Sequence, residues 1–231
     1  MLKFWRLPKE KKRPYKSRVR DRQADDTRRR IVEAARQLLQ SEGYARMTVE
    51  AIAHRAEVSA QSVYAIFKSK TGILEELLDQ SSFGVDHESL VKQALGTTDP
   101  ETRLKFAARI ARQIHERQSV TFDLLRGAGV VAPELAKLEQ RRECLRYERQ
   151  ESTIALLRDS RRLRPQVDYH AARDILWMFT SRDVYRMLVR ERSWSPEEYQ
   201  DWLADTLMHC LLTKRRPKPA RGRISQHWRS D

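Results

Sequence analysis

The segment from Ile31 to Leu78 constrains the fold more than any other part of the chain, because its apolar residues recur at helical spacing in short successive runs. The first run follows the i, i+3, i+4, i+7, i+8 pattern of one helical face: Ile31, Ala34, Ala35, Leu38 and Leu39. Gly43 is placed to end this helix, and Thr48 and Ser59 are placed to cap two short helices. A further helix is predicted to start near Ser69–Lys70. We therefore expect a compact helical unit with one shared core.

The short helix predicted from Ser59 to Phe67 has two distinct faces. Val63 and Phe67 point inward, whereas the outward residues are uncharged, and these are Gln61, Ser62 and Ala65. A helix this short is not stable by its own propensity, so its neighbours must hold it in place. A helix, a three-residue turn and a short second helix form the helix-turn-helix arrangement, whose second helix enters the major groove of DNA and reads base edges. The pattern therefore predicts a DNA-reading element.

The rest of the chain is also predicted to be helical. Gly and Pro are scarce, at 7 and 8 residues, and no run of useful length alternates as a strand does. Order is expected to begin near Asp25–Thr27. Five later helices are predicted. One begins at Pro100, a separate short one covers 119–126, and one runs from Pro133 to about Arg158. The last two cover 168–191 and 196–213. The fold class is therefore all-α.

The excess positive charge lies at the two ends of the sequence. The whole chain has a net charge of +14, of which residues 1–30 carry +9 and residues 214–231 carry +6, so residues 31–213 sum to −1. Basic ends of this kind are often exposed to solvent without any binding role. Beside a DNA-reading element they would also strengthen phosphate contact in a salt-dependent way.

Several classes of protein lack support in the sequence. The two cysteines, Cys144 and Cys210, fit neither a disulfide framework nor a CxxC metal site, and they suit a reducing cytosol. No apolar stretch is long enough to span a membrane, and the N-terminus lacks a signal-peptide core. A Gly-rich phosphate loop and an HExxH motif are absent, and the six His are scattered. We expect a cytoplasmic protein that is not an enzyme and has no cofactor, metal or membrane partner.

The spaced motifs of residues 31–78 resemble the DNA-binding domain of the TetR family of transcriptional regulators. They are A-A at 34–35, G-Y at 43–44, T-V-x-x-I-A at 48–53, V-S at 58–59, V-Y-x-x-F at 63–67 and K-S-K at 68–70. Residues 175–207 are similar to the C-terminal region of many members. Between 80 and 165 only the helical layout is similar.

The resemblance implies roles for individual residues. Gln61 and Ser62 stand where members read bases, and Thr48, Tyr64 and Lys70 stand where members hold the phosphate backbone. The DNA-binding set that it implies is Arg28, Thr48, Ser59, Ala60, Gln61, Ser62, Tyr64, Lys68 and Lys70. The alternative is that Tyr64 packs in the core and Gln61 merely faces solvent.

Two residues depart from the family pattern. Glu57 stands where members usually have Gly, at a turn position that favours positive φ, which costs a residue with a side chain roughly 1–2 kcal/mol. Ile66 stands near a position where members often have an aromatic residue or His, and it donates no hydrogen bond to phosphate. The basic arm is a candidate to compensate, through Arg18, Arg20, Arg28 or Arg29.

The expected organisation has four parts. They are a basic flexible arm at 1–24, the helix-turn-helix domain at 25–79, a helical regulatory and dimerisation domain at 80–213, and a basic flexible tail at 214–231. The helices 168–191 and 196–213 are the candidates for dimerisation, and the alternative is that they only close the domain core. Candidates for a small-molecule pocket are Phe106, His115, Phe122, Arg126, Tyr147 and Trp177, for each of which ordinary packing or a solvated surface is the alternative.

These features lead to one functional prediction and one alternative. The prediction is a sequence-specific transcriptional regulator, a homodimeric repressor that binds a palindromic operator in double-stranded DNA and responds to a small-molecule effector. The alternative is a basic protein that coats DNA without sequence preference or ligand response. An operator fragment and bulk DNA would compete equally only for the coating protein.

Overall fold

The computed structural model describes residues 15–82, 85–129 and 132–213, with side chains at 22–80, 86–117 and 132–213. The α-helices are α1 (Tyr15–Arg46), α2 (Val49–Arg55), α3 (Ala60–Phe67), α4 (Lys70–Ser82), α5 (Val85–Gly96), α6 (Pro100–Gly129), α7 (Pro133–Asp159), α8 (Tyr169–Phe179), α9 (Arg182–Tyr185) and α10 (Pro196–Leu211), and a π-helical segment covers Arg186–Glu191. An isolated antiparallel bridge joins Leu163 and Leu212. The predicted all-α fold class is confirmed, since no strand longer than this bridge occurs in the described ranges.

Helix α1 begins at Tyr15, well before the predicted start near Asp25–Thr27. The segment after Pro14 contains no Gly or Pro that would stop a helix. The Thr27 hydroxyl does not cap a helix but donates to the Gln23 carbonyl oxygen at 2.8 Å, as hydroxyls inside helices do. Near the other end of α1, Gly43 leaves the helical conformation with φ 79° and ψ 173°, which agrees with the predicted helix break there.

One compact unit contains the described residues up to Ser89 together with Gln113–Leu145. Its core is formed by the buried faces of α1 to α4, on which Ile31, Ile52, Ile73 and other apolar side chains are fully buried. Ala132, Leu135 and Leu138, from the start of α7, belong to the same core. The helix-turn-helix segment is therefore stabilised partly by residues that lie far from it in sequence.

The second unit contains Leu90–Arg112 and the described residues from Arg146 onward. Its core includes Leu104 of α6, Leu157 of α7, Leu176 of α8, and Tyr199 and Leu207 of α10. Every one of these side chains is fully buried.

Two helix predictions beyond residue 100 are wrong in detail. Helix α6 is continuous across the predicted gap before 119–126, because no Gly or Pro lies between Pro100 and Gly127. The predicted helix 168–191 is interrupted after Phe179. There the Thr180 hydroxyl donates to the Leu176 carbonyl oxygen at 2.6 Å, and the Ser181 side chain caps α9.

None of the described helices is both long enough and apolar enough to cross a bilayer.

Candidate nucleic-acid interface

Two hydroxyl side chains set the starts of α2 and α3. Thr48 Oγ1 accepts a hydrogen bond from the Ala51 backbone N–H at 3.1 Å. Ser59 Oγ accepts one from the Ser62 backbone N–H at 3.1 Å and also lies 2.8 Å from Ser62 Oγ. Each cap satisfies an N–H group that has no partner within its own helix. Both predicted caps are confirmed.

The turn between α2 and α3 has the backbone conformation that the sequence predicts. Glu57 has φ 54°, in the left-handed region that favours glycine. The Val58 N–H donates to the Ala53 carbonyl oxygen at 3.0 Å, which closes the turn after α2. Glu57 therefore adopts the geometry of a glycine position in spite of its side chain.

Helix α3 has one buried face and one exposed face. Val63 and Phe67 are buried in the core of the unit, whereas Gln61 and Ala65 are exposed. Tyr64 is 47% exposed, which excludes the alternative in which it packs in the core. Ala60 and Ser62, at the start of the helix, are half-buried. The exposed surface of α3 thus consists largely of uncharged side chains.

The three basic residues of the predicted set each have an intramolecular partner. Arg28 Nη1 lies 2.7 Å from Glu76 Oε2, and its guanidinium lies 5.0 Å from the centroid of the Phe67 ring. Lys68 Nζ donates to the Ala65 carbonyl oxygen at 2.9 Å. Lys70 Nζ donates to the Tyr44 carbonyl oxygen at 2.8 Å.

Lys70 belongs to a chain of contacts that continues to α7. Its Nζ lies 3.5 Å from the centroid of the Tyr44 ring, and the Tyr44 hydroxyl donates to Glu134 Oε1 at 2.7 Å. Burial raises the pKa of the Tyr44 hydroxyl and lowers the pKa of the Lys70 ammonium. The hydrogen bond from Tyr44 lowers the pKa of the Glu134 carboxyl, and the charge of Lys70 lowers it further.

The helix-turn-helix segment is similar to a known protein family. The family described as "Bacterial regulatory proteins, tetR family" matches residues 31–77. This match confirms the predicted resemblance.

Individual relatives extend the comparison. An uncharacterized HTH-type transcriptional regulator, YvkB of Bacillus subtilis (strain 168), is 45% identical over 56 residues, which are 24% of this chain and 30% of that relative's length. NalD of Pseudomonas aeruginosa, the secondary repressor of the MexAB-OprM multidrug efflux pump, has a TM-score of 0.61 at 21% identity over 81% of this chain and 98% of its own. SmeT in complex with triclosan has a TM-score of 0.64 at 18% identity over 84% of this chain and 99% of its own. At these identities the two structures establish a shared fold.

Among its described side chains, the structure places only two of the residues predicted to line a small-molecule pocket in contact with each other. Tyr147 and Trp177 pack edge to face, with ring centroids 6.5 Å apart. Phe106 is half-buried in α6, and His115 is buried in the unit that contains the helix-turn-helix. The side chains of Phe122 and Arg126 lie outside the described ones.

A polar cluster that was not predicted lies against Trp177 in the second unit. The Arg146 guanidinium lies 5.1 Å from the centroid of the Trp177 ring, and its Nη1 donates to the Trp177 carbonyl oxygen at 2.8 Å and to Thr180 Oγ1 at 3.0 Å. Gln150 Nε2 also donates to Thr180 Oγ1, at 2.7 Å. Within the described part of the chain, Gln150 Oε1, Trp177 Nε1 and Tyr199 Oη are buried polar atoms without a hydrogen-bond partner. Buried polar atoms ordinarily have a hydrogen-bond partner from the protein or from ordered water.

Metal binding has no support in the described ranges. No group of three or more His, Cys, Asp or Glu side chains is arranged there to hold an ion.

Sequence reasoning missed Tyr44 and Glu134 as parts of the interface region. Tyr44 was noted only as a member of the G-Y motif. Glu134 lies in the first turn of α7, which the sequence places in the regulatory part of the chain. No local pattern connects Glu134 to Tyr44, because the two residues are 90 positions apart.

Proposed function

We propose that this chain is a sequence-specific DNA-binding transcriptional regulator of the tetR family. In this proposal it is a homodimeric repressor that binds a palindromic operator and releases it when a small-molecule effector binds. The observation that carries the proposal is the exposed, uncharged face of α3, held on a rigid helix-turn-helix. The relative NalD, described as a repressor, supports the assignment as a repressor.

The dimensions of α3 suit a major groove. An α-helix with its side chains is about 10–12 Å in diameter, and the major groove is about 12 Å wide. Gln61 and Ser62 are the residues that we assign to base edges, since a Gln amide can donate to and accept from adenine at once. Ser59 and Ala60 lie at the N-terminus of the same helix, where backbone N–H groups favour a phosphate.

Phosphate contacts surround this reading helix in the proposed complex. We assign Thr48, Tyr64, Lys68, Lys70 and Arg28 to the phosphate backbone, where hydroxyls and cations are the usual donors. The basic ends of the chain, with net charges of +9 at 1–30 and +6 at 214–231, would add a sequence-independent, salt-sensitive attraction.

Dimerisation through the C-terminal helices supplies the two-fold symmetry that a palindrome requires. A pair of helix-turn-helix units reads half-sites about 34–36 Å apart or a multiple of that spacing. Exposed apolar side chains in the predicted dimerisation segment, Met178 at 47% and Met187 at 43%, support this assignment. The mass of the chain in solution, measured by light scattering, tests it directly.

The effector site is assigned to the cluster of Arg146, Tyr147 and Trp177. SmeT is described as a complex with the aromatic compound triclosan, which supports an aromatic small molecule as the class of ligand. Trp177 and Tyr147 offer aromatic faces, and Trp177 Nε1 is a buried donor without a partner. An effector shifts the protein away from DNA only if it binds the DNA-incompetent state more tightly.

Two alternatives belong to other classes. A protein that coats DNA would draw on the same basic ends, but it has no use for an uncharged reading face. An enzyme is not supported, because the chain carries no motif of catalytic spacing and its matched relatives are regulators. The proposed regulator acts in the cytoplasm, the compartment that holds bacterial DNA.

Selection of bound genomic fragments, followed by competition against bulk DNA, tests the function. We expect a recurring palindromic site that bulk DNA displaces at least about a thousandfold less efficiently than the site itself. Gln61→Ala should reduce this preference while leaving the affinity for bulk DNA unchanged, because Gln61 contacts bases rather than phosphates. Equal displacement of the wild-type protein by both DNAs would establish the coating alternative.

A further inference from the structure

We propose that Tyr44 and Glu134 are positioning residues that hold the Lys70 ammonium in place for a DNA phosphate. This proposal rests on the proposed function, in which Lys70 contacts the phosphate backbone. It adds a residue of α7 to the machinery that binds DNA, although Glu134 lies in the segment that sequence reasoning assigned to regulation.

The first step concerns the ammonium itself. Lys70 Nζ carries three N–H donors, one of which is given to the Tyr44 carbonyl oxygen at 2.8 Å. The Tyr44 ring, with its centroid 3.5 Å from Nζ, offers its negative face to the same charge. These two contacts fix a long and otherwise mobile side chain, while donors remain for a phosphate oxygen. Lys70 also opens α4, and the N-terminus of a helix attracts an anion.

The second step concerns what fixes Tyr44. This residue follows Gly43, whose φ of 79° and ψ of 173° take it out of the helical conformation. A Cβ added at Gly43 would meet no atom within 4 Å, so no neighbour crowds this position. The Tyr44 ring is half-buried against the core of the unit, and the hydrogen bond from its hydroxyl to Glu134 Oε1, at 2.7 Å, adds a polar restraint on the ring.

The third step concerns what fixes Glu134. Its carboxylate is exposed, but the two neighbouring positions on α7, Leu135 and Leu138, are buried in the core shared with α1 to α4. Two ion pairs hold the next turns of α7 against α4, namely Arg141–Glu75 and Arg142–Asp79, both at 2.6 Å. The acceptor for the Tyr44 hydroxyl is therefore carried by a helix that is anchored to the DNA-binding unit.

An acidic residue at this place opposes DNA binding by its charge, since its carboxylate interacts electrostatically with the ammonium that is to meet a phosphate. As a hydrogen-bond acceptor Glu134 should therefore raise the affinity for DNA, whereas its negative charge should lower that affinity. Substitutions at Glu134 can separate them. Glu134→Gln keeps an acceptor without the charge, and Glu134→Ala removes both.

The experiment measures affinity of full-length variants for the selected operator duplex by fluorescence anisotropy over a range of salt concentrations. Lys70→Gln tests the underlying assignment, and we expect weaker binding with a salt slope reduced by about one. Tyr44→Phe keeps the ring and the carbonyl but loses the hydroxyl, and we expect about fivefold weaker binding, within the range of a lost hydrogen bond to a charged group. In the Lys70→Gln background the same change should have no further effect.

A second pair of variants gives an independent result. Glu134→Ala should bind more weakly than Glu134→Gln by a similar factor, because the two differ in the acceptor and share the absence of charge. This comparison stands even if Tyr44→Phe does not fold. The matched control is Tyr169→Phe, which removes another tyrosine hydroxyl that donates to a glutamate, Glu151 Oε1 at 3.4 Å, in the second unit. It should leave DNA affinity unchanged.

The outcomes distinguish the two proposals. Absence of operator binding by the wild-type chain, or unchanged binding by Lys70→Gln, would remove the underlying assignment and this inference with it. If Lys70→Gln weakens binding while Tyr44→Phe does not, or while Tyr44→Phe weakens it equally in the Lys70→Gln background, the assignment of Lys70 stands and the positioning role is wrong. Equal binding by Glu134→Ala and Glu134→Gln would also overturn it.

Discussion

Gly72, in the first turn of α4, is the position at which the structure makes the sharpest steric prediction. A Cβ atom added there would lie 2.2 Å from the Phe67 carbonyl oxygen and 3.2 Å from its carbonyl carbon. Carbon–oxygen contacts in proteins lie at about 3.3–3.6 Å, so Gly72→Ala forces a backbone shift of about 1 Å. The obstacle is backbone rather than a flexible side chain, and overpacking of this kind costs about 1–3 kcal/mol.

Two further effects set the expected magnitude. Alanine has a helix propensity about 1 kcal/mol better than glycine, which offsets part of the clash, so we expect a net loss of up to about 2 kcal/mol in the free energy of unfolding. The matched control is Gly96→Ala at the end of α5, where an added Cβ meets no atom within 4 Å. That change should leave the free energy of unfolding unchanged or raise it by about 0.4–1 kcal/mol.

Equilibrium urea unfolding of both variants, followed by circular dichroism, measures the difference. Because Phe67 ends α3, the backbone shift should also move the reading helix and weaken binding to the operator duplex for Gly72→Ala alone. Equal free energies of unfolding for the two alanine variants would refute the steric reasoning. Unchanged operator affinity of Gly72→Ala would show that the shift does not reach α3.

Three other perturbations test separate parts of the structure. Glu57→Gly should be more stable than Glu57→Ala by about 0.5–1 kcal/mol in urea unfolding, because relief of about 1–2 kcal/mol at positive φ exceeds the entropy cost of glycine, and the reverse order would contradict the strain. Asp168 caps α8, and hydrogen bonds from the Ala171 and His170 N–H groups lower its pKa in the folded state. Its contribution to stability is therefore present above the unfolded-state pKa and is lost as the pH falls through the folded-state pKa. The wild type should be more stable than Asp168→Asn near neutral pH, and this difference in the free energy of unfolding should shrink on acidification. A difference that stays constant with pH would exclude the linkage. Arg28→Gln should reduce the salt slope of operator binding less than Lys70→Gln, because Arg28 must exchange Glu76 for a phosphate, and an equal reduction would contradict this.

The helix-turn-helix could be predicted from sequence because its signals are local. A cap such as Ser59 contacts a backbone N–H three residues away, and the faces of α3 follow from the spacing of Val63 and Phe67. The cap and the two faces are decided within a few residues, so pattern and propensity suffice to find them. The positive φ of Glu57 follows instead from the family resemblance, because members usually have Gly at this position.

Helix boundaries were predicted less well where a capping signal has more than one use. The sequence predicts Thr27 at the start of a helix, but its hydroxyl donates to the carbonyl oxygen of Gln23, one turn earlier inside α1. Thr180 and Ser181 were placed inside a helix, yet their hydroxyls interrupt it. The same type of side chain can cap a helix, bend it or leave it unchanged. Which of these occurs depends on tertiary packing that one sequence does not reveal.

The candidate interface could be predicted as a set of residues but not as a network. Gln61 is exposed as its spacing predicts, and Tyr64 is exposed as the family resemblance implies, whereas the partners of Lys70 come from the end of α1 and the start of α7. Pairings at such sequence separation leave no periodic signal. Arg28 and Lys70 depend on such pairings, because their acceptors, Glu76 and the Tyr44 carbonyl oxygen, lie far from them in sequence.

These internal acceptors bear on how the proposed complex gains affinity. A phosphate that approaches Arg28 replaces a half-exposed ion pair with Glu76, and such pairs are worth about 0–1 kcal/mol, so the exchange is close to neutral. Lys70 can keep its bond to the Tyr44 carbonyl and add a phosphate, because an ammonium has three donors. Lys68, whose acceptor is the Ala65 carbonyl, can do the same. Within residues 31–213, affinity for DNA should therefore come mainly from the two lysines and the helix N-termini. Because the net charge of these residues is close to zero, the basic ends of the chain should supply the long-range attraction to DNA.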